Sequence, residues 1–383
     1  MTIRLLRLRA VFMRGGTSRA VMFRREDLPP DPKQWDEIFL QVMGSPDPNG
    51  RQLDGMGGGL SSLSKVCIVG RSNRPDADVD YTFAQVAINE ALVDYGGNCG
   101  NMSGAVGPFA VDEGIVEPPA DGEAVVRIFN TNTSKIIVAR FPVVGGALAA
   151  EGDLEIDGIA GRSAPVRLEF VEPGGARTGV LLPTREPRDL LEISGWGRVP
   201  ASCIDAANPC VFVAAEDLGK SGAELPAELE RDQVFLERME NIRRAASVRM
   251  GLTSDLEAAG RLGSVPKVAM VSAPQSAPTL SGRTLTATQF DLGIRMISIG
   301  QPHRAVPITG AVCVAVAARI PGTIPHRFCR AEAGPLRIGH PSGTTVVDAG
   351  VTAAADGTFD AQYGAVYRSA RRLFEGNVLY RST

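Results

Sequence analysis

The chain is poor in lysine: Lys33, Lys65, Lys135, Lys220 and Lys267 are its only lysines among forty cationic side chains, and the rest are arginine. Arginine keeps its charge inside proteins whereas a buried lysine can give up its proton, so few side chains are left to act as an amine base. Aromatic residues are also scarce, at 5%, and no apolar run approaches the roughly 18 to 20 residues of a membrane span. Arginines at positions 4, 7 and 9 break the one N-terminal stretch with the look of a signal peptide. The six cysteines, Cys67, Cys99, Cys203, Cys210, Cys313 and Cys329, form no CxxC and no paired spacing, which excludes a disulfide framework and points to a cytoplasmic, reducing home. The three histidines, His303, His326 and His340, never sit at i, i+4, and HExxH is absent, so no metal is expected. Charge of one sign is missing too: 40 cationic against 43 anionic residues give a net charge of -3 without any long block, which excludes nucleic acid as the main partner.

What is present is length and punctuation. A chain of 383 residues exceeds one ordinary core, and 43 glycines with 26 prolines favour many short strands and turns. Leu5 to Met13 and Ala20 to Phe23 read as a strand pair, and Trp35, Ile38, Phe39 and Val42 set a helix over Pro32 to Met43. Lys65 to Val69, Tyr81 to Val86 and Val125 to Phe141 read as strands, and the loop Gly96 to Ser103 opens into a small-residue helix, Gly104 to Val111. Part of this returns at an offset of 190, where Val21-Met-Phe-Arg-Arg-Glu-Asp-Leu28 meets Val211-Phe-Val-Ala-Ala-Glu-Asp-Leu218. A charged amphipathic helix follows each copy, Gln34 to Met43 and Ala227 to Arg244, and Thr309 to Ala317 resembles Asn101 to Val111. Two similarities in the same order imply a duplication and two like-folded domains.

The start of the small-residue helix, Asn98-Cys99-Gly100-Asn101, is the first place for chemistry. A helix N-terminus exposes N–H groups and the positive end of a dipole, and glycine lets an anion approach. Such a place favours a thiolate at Cys99; the competing reading is a capped helix with an inert cysteine. Thr309-Gly310 would open the matching helix, and two such starts would hold a di- or tricarboxylic acid. The run Asp54 to Lys65 has neither GxxxxGK[ST] nor GxGxxG after a strand, which disfavours nucleotides. It leaves a lysine beside Ser61, Ser62 and Ser64 at the edge of an apolar strand, either a partly desolvated general base or an ordinary exposed strand end. His303 precedes the second helix and is a further candidate substrate contact. No GxSxG occurs, so a hydrolase elbow is not expected.

Seven segments carry a resemblance: Met13-Arg-Gly-Gly-Thr-Ser18, Gly44-Ser-Pro-Asp-Pro48, Asp54-Gly-Met-Gly-Gly58, Ser64-Lys65, Gly97-Asn-Cys-Gly-Asn101, His340-Pro-Ser-Gly343 and Arg368-Ser-Ala-Arg371. Together they resemble the 2-methylaconitate cis-trans isomerase family, which includes 4-oxalomesaconate tautomerase and methylitaconate isomerase and belongs to the diaminopimelate epimerase superfamily. The resemblance implies an α+β, diaminopimelate epimerase-like fold of two pseudo-repeated domains, each a mixed sheet wrapped around a central helix, with the active site between them. The expected domains are 1–184 and 185–372, with a last strand at about 373–383 returning to the first. No cofactor or metal is implied. Lys65 takes the place of the family's proton-transferring lysine and Cys99 that of its helix-start cysteine. Thr17, Ser18, Asn98, Gly100, Asn101, Thr309 and Gly310 fall around the substrate carboxylates, and Ser64 and His303 are added as contacts. In the epimerases a second cysteine opens the second helix; Pro307 stands there in this sequence, and Cys313 lies further along. The expected activity is an isomerase that moves a proton in an unsaturated, aconitate-like tricarboxylate. Its rivals are a cofactor-independent amino-acid epimerase or racemase and a non-catalytic carboxylate-binding protein. The expected partner is a small anionic polycarboxylate, with a homodimer left open.

Overall fold

The computed structural model describes residues 4–96, 98–263, 265–298 and 300–381. Two compact units divide the chain: residues 1–168 with 368–383, and residues 169–367.

In the first unit, β1 (Leu5–Gly15) and β2 (Ser18–Arg24) form a hairpin closed at the Gly15↔Ser18 pair. From Ala10 onward both faces of β1 are covered: Val11, Met13 and Gly15 are buried on one side, and Leu8 and Ala10 on the other. Helix α1 (Trp35–Met43) covers that second side; its spaced apolar residues join Val21, Phe23, Val66, Ile68, Ala84 and Val86 in one cluster. Gly44, at φ 74°, ends α1 in the left-handed conformation that glycine adopts without strain. Strand β3 (Lys65–Arg71) runs parallel to β2, and β4 (Val79–Val86) returns antiparallel to β3. After α2 (Gly100–Asp112), β5 (Gly122–Asn130) lies parallel to β4 and β6 (Lys135–Val144) antiparallel to β5. The stretch from Val125 to Phe141 is therefore a hairpin, because Asn130 to Ser134 make a tight turn with Ser134 at φ 55°. The C-terminal strand Ala370–Arg381 pairs antiparallel along β1, from Leu5↔Arg381 to Gly15↔Ala370.

These strands curl around α2, which touches β1, β2, β3, β5, β6 and the C-terminal strand. Met102 to Val111 are all buried, so the helix has no polar face and must be thin to fit. A Cβ on Gly107 would stand 2.8 Å from the Phe141 ring, and one on Gly104 would stand 3.0 Å from Cβ of Arg368.

The second unit follows the same route. Strands β7 (Asp189–Ile193), β8 (Gly197–Ala206) and β9 (Asn208–Ala214) are successively antiparallel. Helices α3 (Pro226–Arg231) and α4 (Gln233–Arg249) come next; the expected single helix over Ala227 to Arg244 is broken at Asp232, whose carboxylate caps α4 through the Phe235 N–H. Strand β10 (Lys267–Ser272) is parallel to β9, and β11 (Leu292–Ser298) is antiparallel to β10. Helix α5 (Ile308–Ala318), buried from Gly310 to Ala318, precedes β12 (Leu336–His340), which is parallel to β11. Strands β13 (Gly343–Ala353) and β14 (Phe359–Arg368) complete the unit antiparallel. Strand directions along the sheet thus repeat those of the first unit, with α5 in the place of α2 and α4 in the place of α1.

The division at 168/169 falls earlier than the expected 184/185, and for a local reason. Buried Asp205, on β8, accepts the N–H groups of Arg177 and Thr178 at 2.8 and 2.7 Å, and its carbonyl takes Gly175 N–H. Those bonds tie the connecting segment to the second unit.

Candidate functional site

In the first unit, the β1–β2 turn presses against the opening of α2. A Cβ on Gly15 would lie 2.5 Å from the Asn101 carbonyl oxygen, and one on Gly16, at φ +49°, would lie 2.4 Å from Asn101 Oδ1. Both glycines are needed for that approach. Thr17, exposed at the turn, accepts a hydrogen bond from Asn101 Nδ2 at 3.1 Å, while Ser18 is buried as β2 begins.

Cys99 is the N-cap residue of α2, in extended conformation and half-buried. Its carbonyl accepts Ser103 N–H and Oγ–H, and Ser103 Oγ also reaches Asn98 Oδ1 at 3.3 Å. No side chain caps this helix and no acidic residue stands in its first turn, so the positive end of the dipole is not neutralised from within the helix. Buried Arg368 adds a cation, donating from Nε to Asn101 Oδ1 at 3.1 Å. Burial lowers Arg368 to about 10, Cys99 opposes that fall, and the guanidinium stays charged at neutral pH. Arg368 is a further candidate, brought to the start of α2 by its bond to Asn101. It stands in the segment Arg368-Ser-Ala-Arg371, which carried the resemblance without receiving a role.

Lys65 opens β3 and is 7% exposed. Its Nζ donates to Gln85 Oε1 at 2.5 Å, and the Gln85 amide is held by the carbonyls of Ser61 and Ser64. The Phe83 ring lies 4.9 Å from Nζ. Among the described residues no carboxylate pairs with Lys65, so its partners are a neutral amide and an aromatic face. Lys65 and Cys99 share a neighbourhood: burial pushes the Cys67 thiol up, Cys99 pushes it further, and the Tyr81 hydroxyl and then Lys65 draw it back.

The glycine-dense run before Lys65 packs against α1. Met56 and Gly57 N–H groups satisfy the carbonyls of Val42 and Met43 at the end of that helix, at 2.8 and 3.2 Å. Ser64 is fully buried, donating to the Val86 carbonyl at 2.8 Å and accepting from Gln52 Nε2 at 2.6 Å. Ser64 thereby anchors the loop that delivers Lys65.

The second unit carries its own set. Pro307 is the N-cap of α5, so Thr309 and Gly310 hold the positions that Asn101 and Met102 hold in α2. Cys313 is wholly buried inside α5, with its thiol against the Ile204 carbonyl. The backbone N–H of His303 bonds the Met296 carbonyl at 2.8 Å, while its buried Nε2 has no hydrogen-bond partner among the described residues. Burial, and then Lys267, lower the pKa of His303. Lys267 opens β10 as Lys65 opens β3: Val66 pairs with Val21 and Val268 with Val211, the two valines matched by the internal repeat. Burial lowers Lys267 as well. Among the described residues no three His, Cys, Asp or Glu side chains cluster as metal ligands, and no helix is long and apolar enough to cross a membrane.

The duplicated α+β frame and the relatives that share it make this chain an isomerase. The chain belongs to the PrpF protein family, whose model matches residues 5–381. It is 40% identical over 385 residues to the 2-methyl-aconitate isomerase of Shewanella oneidensis, covering 97% of this chain and 96% of that protein. It is 39% identical over 381 residues to the 4-oxalomesaconate tautomerase of Pseudomonas putida, covering 97% and 96%. Among solved structures, a methylitaconate-delta-isomerase superimposes with a TM-score of 0.89 at 39% identity, covering 98% of this chain and 96% of that one.

Proposed function

We propose that this isomerase moves a proton in an unsaturated, aconitate-like tricarboxylate, with Lys65 as the base and Cys99 as the second proton-handling group. The supporting observation is the placement of Lys65: buried at the start of β3 and, among the described residues, free of carboxylate partners. Lys65 Nζ takes a proton from the carbon next to the double bond. The released electron pair spreads through the conjugated system into a carboxylate, forming a dienolate. Return of a proton at the far end shifts the double bond; return at the original carbon after rotation changes its geometry. The open first turn of α2 and the Arg368 cation suit the carboxylate that gathers this charge, since fixed dipoles need no reorganisation as charge develops. Thr17, Ser18, Asn98, Gly100 and Asn101 would shape that place. Relatives named for 2-methylaconitate, methylitaconate and 4-oxalomesaconate support the substrate class.

Proton NMR of a panel of unsaturated di- and tricarboxylates in deuterated water tests the reading. The expected result is isomerisation of at least one acid with deuterium at the carbon that gains the proton. Line broadening on binding with unchanged spectra over hours would instead identify a carboxylate-binding protein.

A further inference from the structure

A second cluster of cations lies in the first unit, where the paired Arg14 and Arg371 of β1 and the C-terminal strand and the last residue of α2, Asp112, face one cavity. Arg14, Arg162, Arg371 and Arg372 line a cavity of about 450 Å³ whose walls include Leu148 and Ile159, with Asp112 as its one acidic lining residue. That volume falls within the roughly 300 to 1,000 Å³ of small-molecule sites. Two of the four arginines are neutralised in place. Arg372 meets Glu113 at 2.6 Å and Asp112 at 3.6 Å, and Arg162 meets Glu155 at 2.8 Å.

The other two are not. Arg14 and Arg371 stand directly opposite each other across β1 and the C-terminal strand, an arrangement of like charges that weakens an antiparallel pair. Arg14 Nη1 donates to neutral oxygens alone, the Gly16 carbonyl at 3.1 Å and the Ser369 carbonyl and hydroxyl at 3.3 and 3.0 Å. Among the described residues no carboxylate pairs with Arg14 or Arg371. Burial and the Arg371 charge both lower the pKa of Arg14, as an uncompensated pair requires. The lining thus holds two unbalanced positive charges beside an apolar wall.

We propose that this cavity is a second anion site, which takes a small organic dianion between Arg14 and Arg371 with its apolar body against Leu148 and Ile159. The site lies outside the Lys65 and Cys99 group but is wired to it. The same Arg14 that would hold the dianion also holds the Gly16 carbonyl, and the next residue, Thr17, accepts the Asn101 amide at the start of α2. An occupant therefore shifts the KM for the isomerised acid. That last link rests on the isomerase reading, whereas the binding itself does not.

Phenylphosphonate, a dianion with a ring, is the probe, and inorganic phosphate is its ringless control, both titrated by calorimetry at fixed ionic strength. Saturable binding is expected in the wild type and equally in Lys65→Ala, tighter for phenylphosphonate than for phosphate, and at least about tenfold weaker in Arg371→Gln, the loss that removing one charged partner brings. Without ligand, Arg371→Gln should melt at or above the wild-type temperature, because it relieves repulsion. Equal affinity in Arg371→Gln and the wild type, or no saturable binding, overturns the site. A lower melting temperature for the unligated variant would show Arg371 to be structural and overturn the unbalanced pair. If Lys65→Ala keeps full turnover while the binding results hold, the isomerase assignment fails and the anion site stands.

Discussion

The two units share a strand order and a central buried helix, yet the residues at the mouths of those helices differ. Unit one sets Cys99 at the cap of α2, and unit two sets Pro307 at the cap of α5. Lysine is kept at both equivalent strand starts, Lys65 and Lys267, in a chain with only five lysines. The backbone was duplicated, but the thiol belongs to one copy. On the function proposed above, proton transfer is asymmetric, with the chemistry carried by unit one. A racemase with facing cysteines would need the thiol twice, and Pro307 cannot supply it.

That asymmetry can be broken one residue at a time. The largest effect belongs to Lys65→Ala, expected to lower kcat by about 10² to 10⁴ while changing KM little, as loss of a general base does. Steady-state kinetics on the acid found by NMR measures this. Cys99→Ala should cost less, about tenfold to a hundredfold in kcat, at or below the bottom of the 10² to 10⁴ range for a general acid or base. A loss as large as that of Lys65→Ala would make the thiol an equal partner in the chemistry. Lys267→Ala should raise KM by no more than about tenfold, worth roughly 1.4 kcal/mol, with kcat nearly kept. A kcat loss matching that of Lys65→Ala would erase the difference between the units.

The smallest effect concerns pH. His303 has its pKa lowered below the ordinary 6.5 by burial, so the fold prefers the neutral ring. The unfolded chain then binds the proton more readily, and the stability this histidine contributes is present above 6.5 and lost as pH falls through the lowered value. Between about pH 6.5 and 5 the melting temperature of the wild type should drop more than that of His303→Gln. Parallel curves would mean that the ring is not held neutral.

Much of this arrangement was legible in the sequence because it is local. The spacing of Trp35, Ile38, Phe39 and Val42 marks α1, and the run of small residues after Asn101 marks a helix that can be buried on all sides. Lys65 and Cys99 could be named because each sits where an element begins. What escaped depends on contacts distant in sequence. Arg368 reaches Asn101 only because the C-terminal strand returns to β1, a pairing that no local pattern encodes. Lys267 was hidden because the helices between β9 and β10 are longer than α1, so the gapless offset that aligns Val21 with Val211 no longer aligns the two lysines. The anchoring of Ser64 by Gln52 and the Val86 carbonyl is likewise a contact that its place next to a lysine does not reveal.

The central claim, that one of two equivalent lysines moves the proton, is tested most directly by comparing Lys65→Ala and Lys267→Ala in deuterated water with the identified acid. Exchange of the allylic proton should vanish in Lys65→Ala and persist in Lys267→Ala at a rate near that of the wild type. Exchange that survives in Lys65→Ala, or that disappears only in Lys267→Ala, would contradict the account.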